Sequence, residues 1–348
     1  MRQVQNPPNP FESVEREWLD EPPDVHLQVY EEQAHSILSE NDSPDLPFRW
    51  SVNPYRGCFH ACAYCYARPT HEYLGFGAGT DFESRIVAKS NAAELLRRAF
   101  DKHSWSGELV MFSGNTDCYQ PLEATWRLTR ACLEVCAEYR NPVGIITRSL
   151  LVQRDVDLLQ RLHAAADVHV FFSIPFADDA LARAIEPQAP LVSRRFEAMR
   201  RVAAAGIPTG VSVAPIIPGL NDDDIAPILE RAWDAGARVA SHILLRLPGS
   251  TRAVFFERLR AALPYRAQRV ENRIRETRGG ALSDARFGER MHGHGVYWDM
   301  IEQQWDVHTR RIGFTQARSG ERAKRTHTFR RPVPASPQGV LFIDGGSS

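Results

Sequence analysis

The chain of 348 residues is 43% hydrophobic and 24% charged, which is typical of a globular protein and leaves enough apolar material for a large core. This composition excludes collagen, a coiled coil and a wholly disordered chain. No apolar run approaches the roughly 18 residues of a membrane helix, and the N-terminus lacks the apolar segment of a secretory signal. We therefore expect a cytoplasmic protein with no membrane partner.

The net charge of −1 conceals an uneven distribution along the chain. Residues 1–50 hold eleven acidic and three basic side chains, whereas residues 257–331 hold seventeen basic and nine acidic ones. Three interpretations are open: both regions are solvated surface, they pair with each other, or the basic end binds a polyanion.

Residues 1–48 are acidic and rich in proline, and we expect an irregular extension on the surface of the main domain. After them, short apolar runs alternate with segments of helical periodicity, a pattern that predicts buried parallel strands and covering helices. Strands are predicted from Ser51 and at 109–112, 143–146, 168–172, 210–213 and 242–245. Helices are predicted at 91–100, 126–139, 155–165, 190–205, 223–235 and 250–263.

Six strand–helix units in a row predict an α/β fold, a partial (β/α)6 TIM-like barrel over residues 49–264. An open doubly wound sheet is the alternative. In both folds the chemistry lies at the C-terminal ends of the strands. Further helices are expected in residues 265–312, and residues 313–348 are expected to form a flexible basic tail.

Three of the six cysteines lie within eight residues, with the spacing C-x3-C-x2-C: Cys58, Cys62 and Cys65, with Tyr64 just before the third. Three thiolates so close together can bind three irons of a [4Fe–4S] cluster and leave the fourth iron open to a ligand. A zinc site with His60 as fourth ligand is the alternative, although zinc sites usually use paired C-x2-C units. The spacing favours the cluster.

This motif, followed by six strand–helix units, resembles the radical S-adenosylmethionine (SAM) superfamily. Within it, residues 50–250 are most similar to the spore photoproduct lyase-like branch. The resemblance implies a [4Fe–4S] cluster and SAM as cofactors, with reductive cleavage of SAM to a 5′-deoxyadenosyl radical that abstracts hydrogen from a substrate. It also implies an external one-electron reductant of the flavodoxin or ferredoxin type.

The same resemblance places cofactor-binding side chains at the strand ends. Thr116-Asp117 after the second strand is expected near the methionine end of SAM, and Arg148 after the third strand pairs with the SAM carboxylate, where the lyase has lysine. Helix capping and structural ion pairs are the alternative roles for these side chains. The predicted cofactor-binding residues are Tyr64, Gly114, Asn115, Thr116, Asp117, Arg148, Ser173, Glu186 and Arg246.

Gly114 stands where, by the resemblance, the lyase has a cysteine that returns hydrogen to its product. This difference counts against repair by the lyase mechanism. Cys118 lies four residues further on and is the candidate for a related catalytic role, with a buried structural thiol as the alternative. Cys132 and Cys136 are four residues apart on a predicted helix and are expected to be buried.

The end of the chain contains Gln338, Leu341 and Phe342, which resemble the short motif by which bacterial replication proteins dock on the sliding clamp. The alternative is a short strand that packs against the domain. Together with the basic residues before it, this motif favours nucleic acid as a partner.

We therefore predict a radical SAM enzyme whose substrate is nucleic acid, in a repair-like reaction. The same chemistry on a peptide or small metabolite is the first alternative. A non-enzymatic iron–sulfur protein for electron transfer or redox sensing is the second, although such proteins normally use four cysteines.

Overall fold

A computed structural model describes residues 2–4, 27–316 and 328–332. The strands are β1 (Arg2–Val4), β2 (Gln28–Glu32), β3 (Leu38–Glu40), β4 (Trp50–Val52), β5 (Tyr55–Arg56), β6 (Arg85–Lys89), β7 (Val110–Phe112), β8 (Val143–Thr147), β9 (Val168–Ser173), β10 (Thr209–Ile216), β11 (Val239–Leu244) and β12 (Thr315–Gln316). The α-helices are α1 (Thr80–Ser84), α2 (Ala92–Asp101), α3 (Glu123–Trp126), α4 (Leu128–Glu138), α5 (Val156–Ala165), α6 (Asp179–Ile185), α7 (Val192–Ala204), α8 (Ile225–Asp234), α9 (Thr251–Ala262), α10 (Pro264–Glu276) and α11 (Val296–Ile312).

Eight strands form the main sheet, in the order β12-β11-β10-β9-β8-β7-β4-β3. All pairs from β4 to β12 are parallel, and only β3 pairs antiparallel with its neighbour. Six of the parallel strands, β4 and β7 to β11, are each followed by helices, so the predicted partial (β/α)6 barrel is confirmed. The described strands leave the sheet open at β12 and β3.

Burial explains why these segments fold as predicted. All three residues of β7 are buried, as a strand covered on both faces requires. On α2, Leu96 and Phe100 are four residues apart and fully buried, so this helix presents one apolar face to the sheet. The helix predicted over 126–139 starts only at Leu128, as α4, because Arg127 adopts a left-handed conformation (φ 52°) that separates it from the short α3.

The acidic extension contributes regular structure to the fold. Strand β3 pairs with β4 at the edge of the main sheet, and β2 pairs in parallel with β6 in a second, four-stranded sheet of order β1-β2-β6-β5. Val29, Tyr55 and Ile86 are fully buried in the core of this small sheet. The structure therefore adds strands to the region that we expected to be irregular.

Five residues of the predicted flexible tail lie against the main domain. Phe329 packs between Phe100 and Tyr139, with ring centroids 6.0 and 6.1 Å apart. The Arg331 guanidinium donates hydrogen bonds to three backbone carbonyls in the loop before β7, those of Phe100, Lys102 and Trp105. This contact lies at the N-terminal ends of the strands, opposite the predicted site.

Among the described residues, none of the helices combines the length and apolar character needed to cross a bilayer. The predicted clamp-binding residues Gln338, Leu341 and Phe342 lie outside the described residues.

Candidate functional site

A cavity of about 460 Å³ opens at the C-terminal ends of the parallel strands. The loop with the three clustered cysteines forms one wall. The other walls come from the strand ends and loops after β7 to β11, from residues between 39 and 51, and from the loop before α11. The residues of the cavity wall include Leu46, Phe48, Cys58, Cys62, Tyr64, Cys65, Tyr66, Gly114, Asn115, Thr116, Asp117, Arg148, Ser173, Arg246, Arg290 and Met291.

The cysteine loop is shaped by two residues with positive φ. Gly57 has φ 77°, and a Cβ atom there would lie 3.0 Å from the backbone oxygen of Phe82, so glycine is required. Ala61, between the first two cysteines, has φ 57°, a conformation that costs energy for a residue with a side chain. The resulting turns bring Cys58 and Cys62, which are 7% and 5% exposed, to the same cavity.

Arg68 holds this loop from behind and is fully buried. Its guanidinium donates to the backbone oxygen of Cys62 from Nε (3.0 Å) and Nη2 (2.9 Å), and to that of Ala61 (3.1 Å). The other nitrogen donates to the backbone oxygens of Ala78 and Gly79. Nη2 also pairs with Glu83, so every nitrogen of the side chain fixes either the backbone around the cysteines or the segment that follows them.

The three thiols differ in their electrostatic surroundings. Burial raises the pKa of Cys62 and Cys65. Burial acts on Cys58 in the same direction, but the neighbouring His60 outweighs it and lowers the pKa of that thiol. The His60 ring itself faces Asp117, with Nδ1 3.4 Å from Oδ2, and it does not line the cavity.

This donor set fits a cluster better than a zinc ion. Three thiols line the cavity, while the ring of His60, the fourth ligand of the zinc alternative, lies next to Cys58 and Asp117 and does not line the cavity. In the described part of the chain, no three His, Cys, Asp or Glu side chains are arranged to hold a single metal ion. Three thiols beside an open cavity are the ligands that a [4Fe–4S] cluster with one free iron needs.

Arg148 follows β8 and reaches across the cavity to the cysteine loop. One guanidinium nitrogen contacts the Cys62 sulfur and lies 3.1 Å from Glu186, and the other lies 3.1 Å from the hydroxyl of Ser173. The group is largely buried, with 16% of its side chain exposed, and Glu186 balances its charge. The structure thus brings Arg148 and Ser173 together beside the cysteines, as predicted from the sequence.

Asp117 connects the ends of two strands with the cysteine loop. Its carboxylate accepts hydrogen bonds from the Thr147 hydroxyl (2.7 Å) and the Arg148 backbone N–H (2.9 Å). Burial alone would raise its pKa, but His60 and these donors lower the pKa to about 2, so the group is ionised. The predicted contact with SAM stays a prediction, and the observed contacts give Asp117 a role in fixing the cavity wall.

The residues just before Asp117 also line the cavity, and part of their polar groups form hydrogen bonds within the protein. The Asn115 backbone N–H donates to Asn53 (2.8 Å), and the Thr116 hydroxyl donates to the backbone oxygen of Tyr55 (2.9 Å). A Cβ atom at Gly114 would lie 3.0 Å from Ser51, so any larger residue would require Ser51 to move.

Glu186 lies behind the cysteine loop, and it is not part of the cavity wall. It accepts hydrogen bonds from Arg195 (2.5 Å) and from the Tyr64 hydroxyl. Burial would raise its pKa, but Arg195 and Arg148 outweigh burial and lower it. The predicted contact of Glu186 with the cofactor stays a prediction, and the observed contacts show instead that Glu186 holds Arg148 and Tyr64 in place.

The other three cysteines lie away from the cavity. Cys118 is fully buried and does not line the cavity. Burial raises the pKa of this thiol above its ordinary value, so the reactive thiolate form is disfavoured. Its catalytic role stays a prediction that no described contact supports. Cys132 and Cys136 are buried on α4, as expected.

Several side chains of the cavity wall were not predicted from the sequence, among them Phe48, Tyr66 and Arg290. Tyr66 directly follows the third cysteine, and its hydroxyl donates to the backbone oxygen of Gly114. Arg290 comes from the loop before α11, far from any recognised motif. The position of Tyr66 beside the motif was a usable signal, whereas no pattern in the sequence marks Arg290.

Comparison with known proteins identifies the family. Residues 52–232 match the Radical SAM superfamily. An uncharacterized protein of Mycobacterium tuberculosis is 39% identical over 221 residues, which cover 63% of this chain and 65% of that protein. The Radical SAM Nalpha-GlyT isomerase of Pseudomonas phage M6 is 25% identical over 253 residues, 71% of this chain and 50% of that protein.

Solved structures show the same fold. Spore photoproduct lyase with bound AdoMet and dinucleoside spore photoproduct superposes with a TM-score of 0.55 at 16% identity, covering 83% of this chain and 80% of that chain. The predicted fold is thereby confirmed. Radical SAM proteins use a [4Fe–4S] cluster and SAM, and they need an external reductant, so the predicted cofactors are confirmed as well. Since the family match spans more than half of its length, the chain belongs to the radical SAM superfamily.

Proposed function

We propose that this protein is a radical SAM enzyme that holds its [4Fe–4S] cluster through Cys58, Cys62 and Cys65 and acts on nucleic acid. The observation that carries the first part is the meeting of three thiols and the Arg148 guanidinium at one cavity, at the C-terminal ends of parallel strands. Parallel α/β folds use that end of the sheet for chemistry.

When bound through Cys58, Cys62 and Cys65, the cluster would supply, together with SAM and a flavodoxin- or ferredoxin-type reductant, one-electron radical chemistry that abstracts a hydrogen atom from the substrate. The residues of the chain position the reactants and exclude water. Arg148 offers a permanent cation to the SAM carboxylate, and the Glu186 ion pair fixes its orientation. The Ser173 hydroxyl accepts a hydrogen bond from the other guanidinium nitrogen of Arg148 (3.1 Å) and helps to fix its orientation.

Two kinds of observation support nucleic acid as the substrate. Arg246 and Arg290 add positive charge to the cavity wall, and Tyr66 and Phe48 add aromatic faces. In addition, the lyase structures that share the fold are solved with dinucleoside spore photoproduct. A peptide or small metabolite is the alternative, and binding that weakens steeply with salt distinguishes nucleic acid from both.

The experiment that tests the first part is anaerobic reconstitution with iron and sulfide. The wild-type chain should bind one [4Fe–4S] cluster and, with dithionite and SAM, form 5′-deoxyadenosine. Cys62→Ala should lose both, because two thiols cannot hold the cluster. Cys136→Ala removes a buried thiol away from the cavity and should retain both. Zinc or no metal at the three cysteines of the anaerobic wild-type protein would contradict the proposal.

A further inference from the structure

We propose that Arg246, supported by Arg278 and Arg290, forms an anion subsite that binds a phosphate group of the substrate. This inference rests on the proposed function and assigns a role to the wall of the cavity that the chemistry described above does not use. It also assigns Arg246 to the substrate, in place of the cofactor contact expected from the sequence.

Three arginines meet at the end of β11, and two of them have protein partners. Arg290 donates from Nε to Asp45 (2.6 Å). Arg278 donates to the backbone oxygens of Leu245 and Arg290, each at 2.9 Å, and so fixes the strand end to the loop before α11. Both side chains are therefore held in place, and their positive charge faces a common region.

Arg246 differs from the other two because, among the described residues, its guanidinium neither pairs with a carboxylate nor donates to a backbone oxygen. Its contact is the face of Tyr66, 5.3 Å from the ring centroid. In the part of the chain that the structure describes, no hydrogen bond or ion pair involves this guanidinium. A largely buried guanidinium without an anion is unfavourable, so the site gains stability when an anion binds.

The electrostatic surroundings agree with this geometry. Burial and the neighbouring charge of Arg290 lower the pKa of Arg246, and burial likewise lowers the pKa of Arg278 to about 10. Asp45 opposes the effect on Arg246 only in part. Asp284 and Glu289 likewise oppose the effect of burial on Arg278, and of the three guanidinium groups only Arg290 forms an ion pair with a carboxylate among the described residues.

The shape of this wall favours a nucleotide phosphate over a simple carboxylate. The Tyr66 side chain is 43% exposed and lies next to Arg246, and Phe48 lines the same cavity. An aromatic face beside a guanidinium matches a nucleotide, which stacks its base and pairs its phosphate. On the opposite wall Arg148, beside Cys62, is already available for the SAM carboxylate.

The test measures binding to the reconstituted protein with SAM present, by titration calorimetry. The probes are a mixed-sequence pool of deoxydinucleotides with one native phosphodiester and the same pool with a neutral methylphosphonate in its place. We expect the native pool to bind about tenfold more tightly, because a charge-assisted pair with Arg246 is lost in the neutral pool. Arg246→Gln should remove this difference, and Arg246→Lys should retain part of it.

Arg200→Gln, which removes an exposed arginine on α7, is the matched control and should bind both pools as the wild type does. SAM affinity should be unchanged in Arg246→Gln. Equal binding of the two pools by the wild type, or no detectable binding of either pool, would overturn the inference. So would a loss of SAM affinity in Arg246→Gln that leaves the phosphate preference intact.

Two further probes identify the source of the phosphate. Tighter binding of the dinucleotides than of deoxynucleoside monophosphates or inorganic phosphate supports a nucleic-acid strand, and the reverse order supports a phosphate subsite for a free nucleotide. The cluster content of each variant is measured separately. A protein without a cluster disproves the proposed function, whereas a missing phosphate preference in a fully loaded protein disproves only this subsite.

Discussion

At the scale of single residues, Arg68 shows how the protein maintains a strained cysteine loop. Ala61 has a positive φ, and such a conformation persists only where the surroundings determine it. Arg68 supplies that constraint by binding the backbone oxygens of Ala61 and Cys62 from within the protein. The residue has no contact with the cavity, so its influence on the cluster acts through the backbone.

Arg68→Met should weaken retention of the cluster, because several buried carbonyl groups lose their hydrogen-bond donors. Each buried carbonyl left without a donor destabilises the loop by about 1–3 kcal/mol. We expect the visible absorbance of the reconstituted cluster to decay about tenfold faster in the presence of an iron chelator. Arg258→Met is the control, since Arg258 also lies near Glu83 but donates to none of these loop carbonyls. Equal decay in Arg68→Met and the wild type would show that the loop does not depend on this side chain.

Lys89 carries a buried charge that affects the stability of the folded state. It is 8% exposed, and burial, with a smaller effect of Arg56, lowers its pKa to about 8. The folded state therefore binds this proton less tightly than the unfolded state. Below pH 8 the full cost of the buried charge is present, and it disappears as the pH rises from about 8 towards 10.5.

Lys89→Met should consequently increase the free energy of unfolding at pH 7, by up to about 3 kcal/mol. The gain should shrink at pH 9.5, where the wild type has already lost most of the penalty. Urea unfolding at both pH values measures this difference, and Lys102→Met, at an exposed position, should show no such dependence. A variant that is less stable than the wild type at pH 7 would mean that Glu32 compensates the buried charge.

At the scale of elements, the short segment 328–332 packs against the end of the barrel that is remote from the cysteines. Phe329 covers Gly107, where a Cβ atom would lie 2.3 Å from the phenylalanine side chain. A glycine at this point is therefore needed for the close approach. The Arg331 hydrogen bonds to the loop before β7 complete the contact.

Phe329→Ala should release this segment and lower the free energy of unfolding by about 1–3 kcal/mol, because the ring is only partly buried. Trypsin should then cleave faster after Arg330, which mass spectrometry of the products detects. Tyr265→Ala, which removes a fully exposed aromatic side chain from α10, should change neither quantity. Unchanged cleavage after Arg330 in Phe329→Ala would show that the backbone contacts alone retain the segment.

At the scale of the whole molecule, the sequence predicts the repeated units well and the additions to them poorly. Six strands and their helices follow from local periodicity, because each buried strand is a short apolar run. Strands β2 and β3 did not follow, because their partly exposed residues lack that pattern and are held by pairing with distant strands.

The candidate site divides in the same way. Cys58 belongs to a recognisable cysteine motif and Arg148 comes directly after a predicted strand, and the structure brings both to one cavity. Glu186 and Cys118 were predicted as site residues because they too follow predicted strands, but their side chains are buried outside the cavity wall. Arg290 was missed, because its position depends on a contact between segments that no local pattern encodes.

The hydrogen bond between Asp45 and Arg290 connects positions 245 residues apart. At about 5–20 residues per second, a ribosome needs on the order of 10–50 s to make that stretch. The nascent chain therefore presents its cysteines well before the last wall beside them exists. Metal delivered during translation would meet a cysteine loop without this wall, whereas metal delivered to the finished protein has to enter a cavity whose wall already includes Arg290.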